Sequence, residues 1–193
     1  MKIIQDNLYH IYNRGNQKQR LFYSERNYNF FIGKIISYIQ PCCDILSYTL
    51  MPNHYHLLIH ANEQSAELLK GRVLDISKLS EGVRLMQSTY TKAFNSEQGI
   101  CGNLFQQKAK SKPIEYQSTV QAINTFHYIH KNPVEANLVL YPEDWNYSSF
   151  REYLDPDFPG LCNKKLALEI LDLDERMFHP KQPSPFIRTL SID

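Results

Sequence analysis

Two apolar runs on either side of a Pro-Asn pair constrain this chain more than any other stretch. Asp44–Met51 (DILSYTLM) and the run from His54 to Ala61 (HYHLLIHA) flank Pro52-Asn53. Both runs are rich in Leu, Ile and Tyr and bounded by turn residues, which predicts paired antiparallel strands. Side chains alternate along a strand, so His54 and His56 share one face while Tyr55 and Leu57 take the other. Two imidazoles side by side on a sheet can hold one metal ion, imidazole being the commonest ligand for divalent transition metals. The pair alone is also what ordinary hydrogen-bonded or solvated strand histidines look like, which is the more frequent case.

Periodicity organises the rest of the chain. Residues 8–13 alternate as a strand. Tyr28, Phe31, Ile32, Ile35, Ile36 and Ile39 recur at helical spacing until Pro41. Residues 62–77 are polar and irregular. Leu79, Val83, Met86, Tyr90, Ala93 and Phe94 mark a second amphipathic helix that ends near Gly99, and 104–114 reads as a further strand. The order strand, helix, strand, strand, helix, strand predicts an α+β fold. It is the ferredoxin-like split βαβ pattern, an antiparallel sheet with helices on one face. A C-terminal helical extension follows, with one more helix from about Lys164. The chain divides into a domain over residues 1–154 and an extension with a mobile tail over 155–193, the tail starting near His179.

The segment 118–132 (STVQAINTFHYIHKN) reads as a helix, with Ser118 and Gln121 fitting a capping box and Pro133 predicted to stop it. Ala122, Phe126 and Ile129, with Thr119 and Ile123, form its apolar stripe. Asn124, Tyr128 and Asn132 follow i, i+4, i+8 spacing on a more polar face. A tyrosine placed there, one turn before an amide, suits a nucleophile beside a metal ligand.

The ordered motifs resemble those of the HUH-type single-tyrosine transposases, which comprise insertion-sequence single-strand transposases and REP-associated tyrosine transposases. The matching residues are Tyr9-His10-Ile11-Tyr12-Asn13-Arg14-Gly15, Met51-Pro52-Asn53-His54-Tyr55-His56, Leu104-Phe105-Gln106-Gln107-Lys108, Tyr128-Ile129-His130-Lys131-Asn132-Pro133-Val134 and Trp145-Asn146-Tyr147-Ser148-Ser149-Phe150. The last two segments are closer to the REP-associated branch. The resemblance implies the same ferredoxin-like fold and a metal-dependent DNA transposase that nicks and rejoins single-stranded DNA beside a hairpin, as in DNA recombination by an HUH endonuclease. It implies Tyr128 as nucleophile through a 5′-phosphotyrosine link, and metal binding by His54, His56 and Asn132. Mixed N/O ligation without sulfur suits magnesium or manganese, Mg²⁺ or Mn²⁺. Monomeric and homodimeric forms are both compatible with the family pattern.

Other titratable groups compete. His60 shares the face of His54 and His56 but sits at the strand end, where solvation is the simpler role. His127 and His130 flank Tyr128 but point elsewhere on the helix. Tyr90 falls on an apolar stripe, and Tyr116 has no amide one turn later.

A net charge of +1 over 193 residues supplies no global attraction to nucleic acid, so DNA binding must come from local patches. Lys108, Lys110 and Lys112 alternate along the fourth strand and line one face, as phosphate contacts would. An edge strand protected from aggregation by lysines explains them equally well. Arg14, with Lys18 and Arg20, follows the first strand and suits a grip on a DNA stem; an ordinary charged loop is the alternative. Cys42, Cys43, Cys101 and Cys162 show no metal or disulfide spacing. With no run of 18 apolar residues, a cytoplasmic protein without membrane contact is expected. Three rival functions stay open: a domesticated protein that binds a DNA hairpin without cutting it, an RNA-binding ferredoxin-like module, and a His-x-His metal hydrolase.

Overall fold

The computed structural model describes residues 2–69, 75–114, 119–155, 157–174, 178 and 180. Its elements in chain order are β1 (Leu8–Arg14), α1 (Glu25–Tyr38), β2 (Asp44–Met51), β3 (His54–His60), α2 (Glu63–Ala66), β4 (Leu68–Leu69), β5 (Ile76–Ser77), α3 (Lys78–Gln98), β6 (Lys110–Ile114), α4 (Thr119–Glu135), α5 (Phe150–Leu154) and α6 (Lys164–Leu171). The residues expected to be irregular between β3 and α3 thus include one helical turn and a two-stranded ribbon of β4 and β5. The main sheet is antiparallel throughout, in the order β2-β3-β1-β6.

This is the ferredoxin-like arrangement. Tyr9, Ile11, Tyr55, Leu57 and Ile59 project from one sheet face into a core with Phe31 and Ile35 of α1 and Val83, Met86 and Tyr90 of α3. Gly82 lets α3 cross the end of α1 closely, since a Cβ there would lie 2.2 Å from the Tyr38 carbonyl oxygen. Gly99 adopts a left-handed conformation that closes α3.

Helices on one face describes α1 and α3 but not the whole molecule. Leu8, Leu46, Leu58 and Ile114 project from the opposite face and form a second core with Ala122, Phe126 and Ile129 of α4 and Ala167 and Leu171 of α6. That face is divided along its length. Its apolar end is covered by α4 and α6, and its other end carries His10, Tyr12, Arg14, His54 and His56, which sit at matched register positions on β1 and β3.

Two expected boundaries are corrected. Residues 104–109 are not strand: Leu104 and Phe105 turn into the first core, Phe105 making a single bridge to Gly15, and pairing with β1 begins only at Lys110. An edge strand tolerates Pro113, which lacks a ladder donor. Pro133 does not stop α4, which continues to Glu135. The proline lies close to the helix end and removes one backbone donor, while the residue itself is buried. The helix is closed instead by Asn137 at φ 54°, with Asn137 N–H donating to the Val134 carbonyl and Leu138 N–H to that of Pro133, a Schellman motif. Ser118 and its capping box lie outside the described residues, as do Tyr116 and, apart from Pro180, the expected tail from His179.

The Trp145–Phe150 segment covers the outer edge of β2. Leu50 N–H donates to the Tyr147 carbonyl, Ser149 N–H to that of Tyr48, and the Trp145 indole to that of Leu50 at 3.1 Å. An edge strand whose backbone is satisfied in this way cannot recruit another chain.

Candidate active site

Each side chain of the site reaches it for a local reason. The Pro52-Asn53 turn ends β2 and starts β3, and strand alternation then places His54 and His56 on the half-open sheet face, with ring centroids 5.0 Å apart. β1 runs antiparallel beside β3, pairing Tyr12 with His56 and Arg14 with His54. Helix α4 buries Phe126 and Ile129, which turns Tyr128 towards the histidines. The phenol ring lies edge-on to His56 at 5.5 Å and to His10 at 6.2 Å between centroids, and stays 43% exposed. That exposure leaves the ring open to solvent, as a nucleophile would have to be. Tyr90, by contrast, is core, its hydroxyl donating to the Leu21 carbonyl at 2.6 Å.

The proton arrangement of His54 follows from its neighbours. The Asn53 amide nitrogen donates to the Lys18 carbonyl, so its oxygen faces His54 Nδ1 at 2.6 Å and accepts the ring proton. Burial and the nearby Arg14 lower the His54 pKa to about 4, so the ring is neutral near pH 7. Asn132 also lies against this ring, and its amide nitrogen donates to the Tyr128 carbonyl at 2.8 Å. A neutral imidazole with one N–H thus meets two amide oxygens. One oxygen is served, and the remaining lone pairs suit a cation.

His56 is desolvated and flanked by His10, His54 and Arg14, which lowers its pKa to about 2. Its Nδ1 is 2.8 Å from His10 Nε2. His10, lowered to about 4 by burial and Lys112, is a site residue not singled out from the sequence. It falls within the Tyr9–Gly15 motif, but its register on β1, next to β3, is what brings it to the site. Asn53, a turn residue by its place between the strands, likewise joins the site through His54.

Among the described residues no group of three or more His, Cys, Asp or Glu side chains is arranged to hold a metal. The donors at hand are two imidazoles and the Asn132 amide. His60 lies at the far end of β3, where Asp44 and Asp6 approach it at 3.6 and 4.0 Å. His130 is buried against Phe126 with Nε2 2.7 Å from Ser149 Oγ, a packing role.

The cations divide. Lys110 and Lys112 place their ammonium groups 5.8 and 5.9 Å from the Tyr12 ring centroid, beside Tyr128. Arg14 and Lys110 line a cleft of about 310 Å³ with Tyr12, His54, His56 and Tyr128. Lys108 is exposed but precedes the strand, so the three lysines do not share one strand face as expected. A second cleft, of about 390 Å³, shares Tyr12, His56 and Tyr128 with the first and adds His10, Lys112 and Asn124.

A four-stranded ferredoxin-like sheet with a tyrosine-bearing helix laid over a histidine pair defines the class of fold. The structure is similar to that of a REP-associated tyrosine transposase bound to a REP hairpin, at a TM-score of 0.61 and 19% sequence identity, over 81% of this chain and 87% of that one. The fold expected from the sequence motifs is thereby borne out. No family model and no curated protein sequence matches the chain. Among the described residues no helix is long and apolar enough to cross a membrane.

Proposed function

We propose that this protein is a single-tyrosine DNA transposase of the HUH type, cutting and rejoining single-stranded DNA next to a hairpin. The observation that carries the reading is the exposed Tyr128 ring edge-on to His56, with Asn132 one turn further against His54. A ligand-free surface has little reason to keep an accessible phenol beside two desolvated, neutral imidazoles.

In this reading Tyr128 Oη attacks a backbone phosphorus. A phosphorus–phenol bond forms, the bond to the 3′ oxygen breaks, and the phenolic proton ends on the freed 3′-OH. The phosphodiester energy is kept in the tyrosyl link, so the reverse step rejoins a 3′-OH without a nucleotide cofactor. His54, His56 and Asn132 would hold Mg²⁺ or Mn²⁺, which when bound supplies Lewis-acid neutralisation of the phosphate. Asn53 orients His54 and His10 orients His56, as partners of metal-binding histidines do. Arg14, Lys110 and Lys112 hold the phosphate backbone, with Lys108 at the margin.

Incubation with hairpin-bearing single-stranded DNA and Mn²⁺, followed by denaturing gel analysis, tests this. Wild type should form a covalent adduct, and Tyr128→Phe should fold and bind but form none. Hairpin binding by wild type without any adduct would instead make it a non-cleaving hairpin-binding protein.

A further inference from the structure

The loop after α3 and the outer face of α3 line a cleft of about 470 Å³ that shares Gln106 with the candidate site. Arg84, Gln87, Ser88, Thr91, Lys92 and Asn95 fall at i, i+3, i+4, i+7, i+8 and i+11, forming one wall along the helix. Residues 102–107 form the other. This loop is tied down at both ends: Asn95 donates to the Gly102 carbonyl at 3.0 Å, and Gln106 N–H donates to that of Arg14 at 3.0 Å. Gln106 lines this cleft and the Tyr128 cleft alike. Buried Asn13 ties the junction together, its amide donating to Gln87 Oε1 at 3.3 Å and to the Gln106 carbonyl at 3.2 Å.

The chemistry of the walls selects a ligand. No carboxylate lines the cleft; amides, hydroxyls and two cations line it together with Leu104 and Phe105. Glu81, itself almost fully buried, grips the Arg84 guanidinium through two hydrogen bonds of 2.7 Å, which fixes the group while half of it stays exposed. A pre-set guanidinium and a lysine two turns on suit successive phosphates, and neutral amides suit base edges. A cleft of this size takes a few unpaired nucleotides and is too small for a duplex.

The geometry points to the α3–loop cleft as the channel that carries the unpaired DNA strand to Tyr128, an inference that rests on the transposase reading. An arginine and a lysine contacting two phosphates account for about 1.4 units of salt slope on single-stranded DNA. The experiment measures fluorescence anisotropy of labelled oligo-dT, and of the same oligo-dT attached to a hairpin, across a salt series. Arg84→Gln/Lys92→Gln should lower the slope by about that amount, and Asn103→Lys should steepen it by about 0.7. Photo-crosslinks from bromodeoxyuridine placed in the single strand should map to α3 or to residues 102–107. An unchanged slope in both variants, or crosslinks confined to other segments, overturns the channel while leaving the transposase reading intact. Wild type that binds neither probe overturns both.

Discussion

His10 Nε2 lies 2.8 Å from His56 Nδ1, across the β1–β3 boundary of the sheet. One of the two nitrogens carries the shared proton, so the His56 ring is held at its Nδ1 edge and offers Nε2 to the cleft. Loss of such an orienting partner typically costs 10–100-fold in metal affinity. His10→Ala should therefore weaken Mn²⁺ binding by about that factor in isothermal titration calorimetry, and His10→Gln should restore part of it. Equal Mn²⁺ affinity in wild type and His10→Ala would show that His10 has no such role.

His54 and Asn132 meet at the same point, and each should be needed for cleavage but not for DNA binding. For His54→Ala and Asn132→Ala we expect loss of Mn²⁺-dependent adduct formation with hairpin affinity within about threefold of wild type. Gel shift and adduct assays on the same preparations decide this. Full cleavage by His54→Ala would remove the metal assignment.

The cations near Tyr128 should differ from Lys108. Lys110 and Lys112 stand over Tyr12 on the site face, whereas Lys108 lies before the strand. Lys110→Ala/Lys112→Ala should reduce the salt slope of DNA affinity by about 1.4–1.8, and Lys108→Ala by less than one contact. A larger effect for Lys108 would reverse the assignment.

Acid should destabilise the fold through its buried imidazoles. Burial, with His127 close by, lowers the His130 pKa to about 3 from an ordinary value of 6.5. Above 6.5 neither folded nor unfolded chain is protonated there, and its stability contribution is complete. Between 6.5 and 3 only the unfolded chain takes the proton, so stability falls by about 1.4 kcal/mol per pH unit for this group. Burial also lowers His10, His54, His56 and His127, each adding to the same trend. Urea denaturation from pH 7 to pH 4 should show a shallower loss for His130→Gln than for wild type.

Phe126 is fully buried between α4 and the second core, against His130, Tyr153 and Phe178. Phe126→Ala should cost about 3–5 kcal/mol by chemical denaturation. It should also reduce cleavage at temperatures where the fold persists, because the same contact aims Tyr128.

Local chemistry alone determined much of this protein. Strand alternation after Pro52-Asn53 set His54 and His56 on one face, and helical spacing put Tyr128 and Asn132 one turn apart. Apolar periodicity also picked out most core residues of α1 and α3, although Ile36 and Ala93 of the same pattern are exposed. These features depend on neighbours within a few residues, where backbone periodicity dictates direction. Tertiary structure decided the rest. That α4 lies across the face opposite α1 and α3 depends on the second apolar patch of Leu8, Leu46, Leu58 and Ile114, assembled from four strands. His10 became part of the site only through strand register, and residues 104–109 left the sheet because Leu104 and Phe105 gain more by burial than by pairing at an edge. Pro133 stayed helical because a buried ring and the Asn137 closure offset one missing hydrogen bond. Such choices balance contacts between residues distant in sequence, which no local pattern encodes.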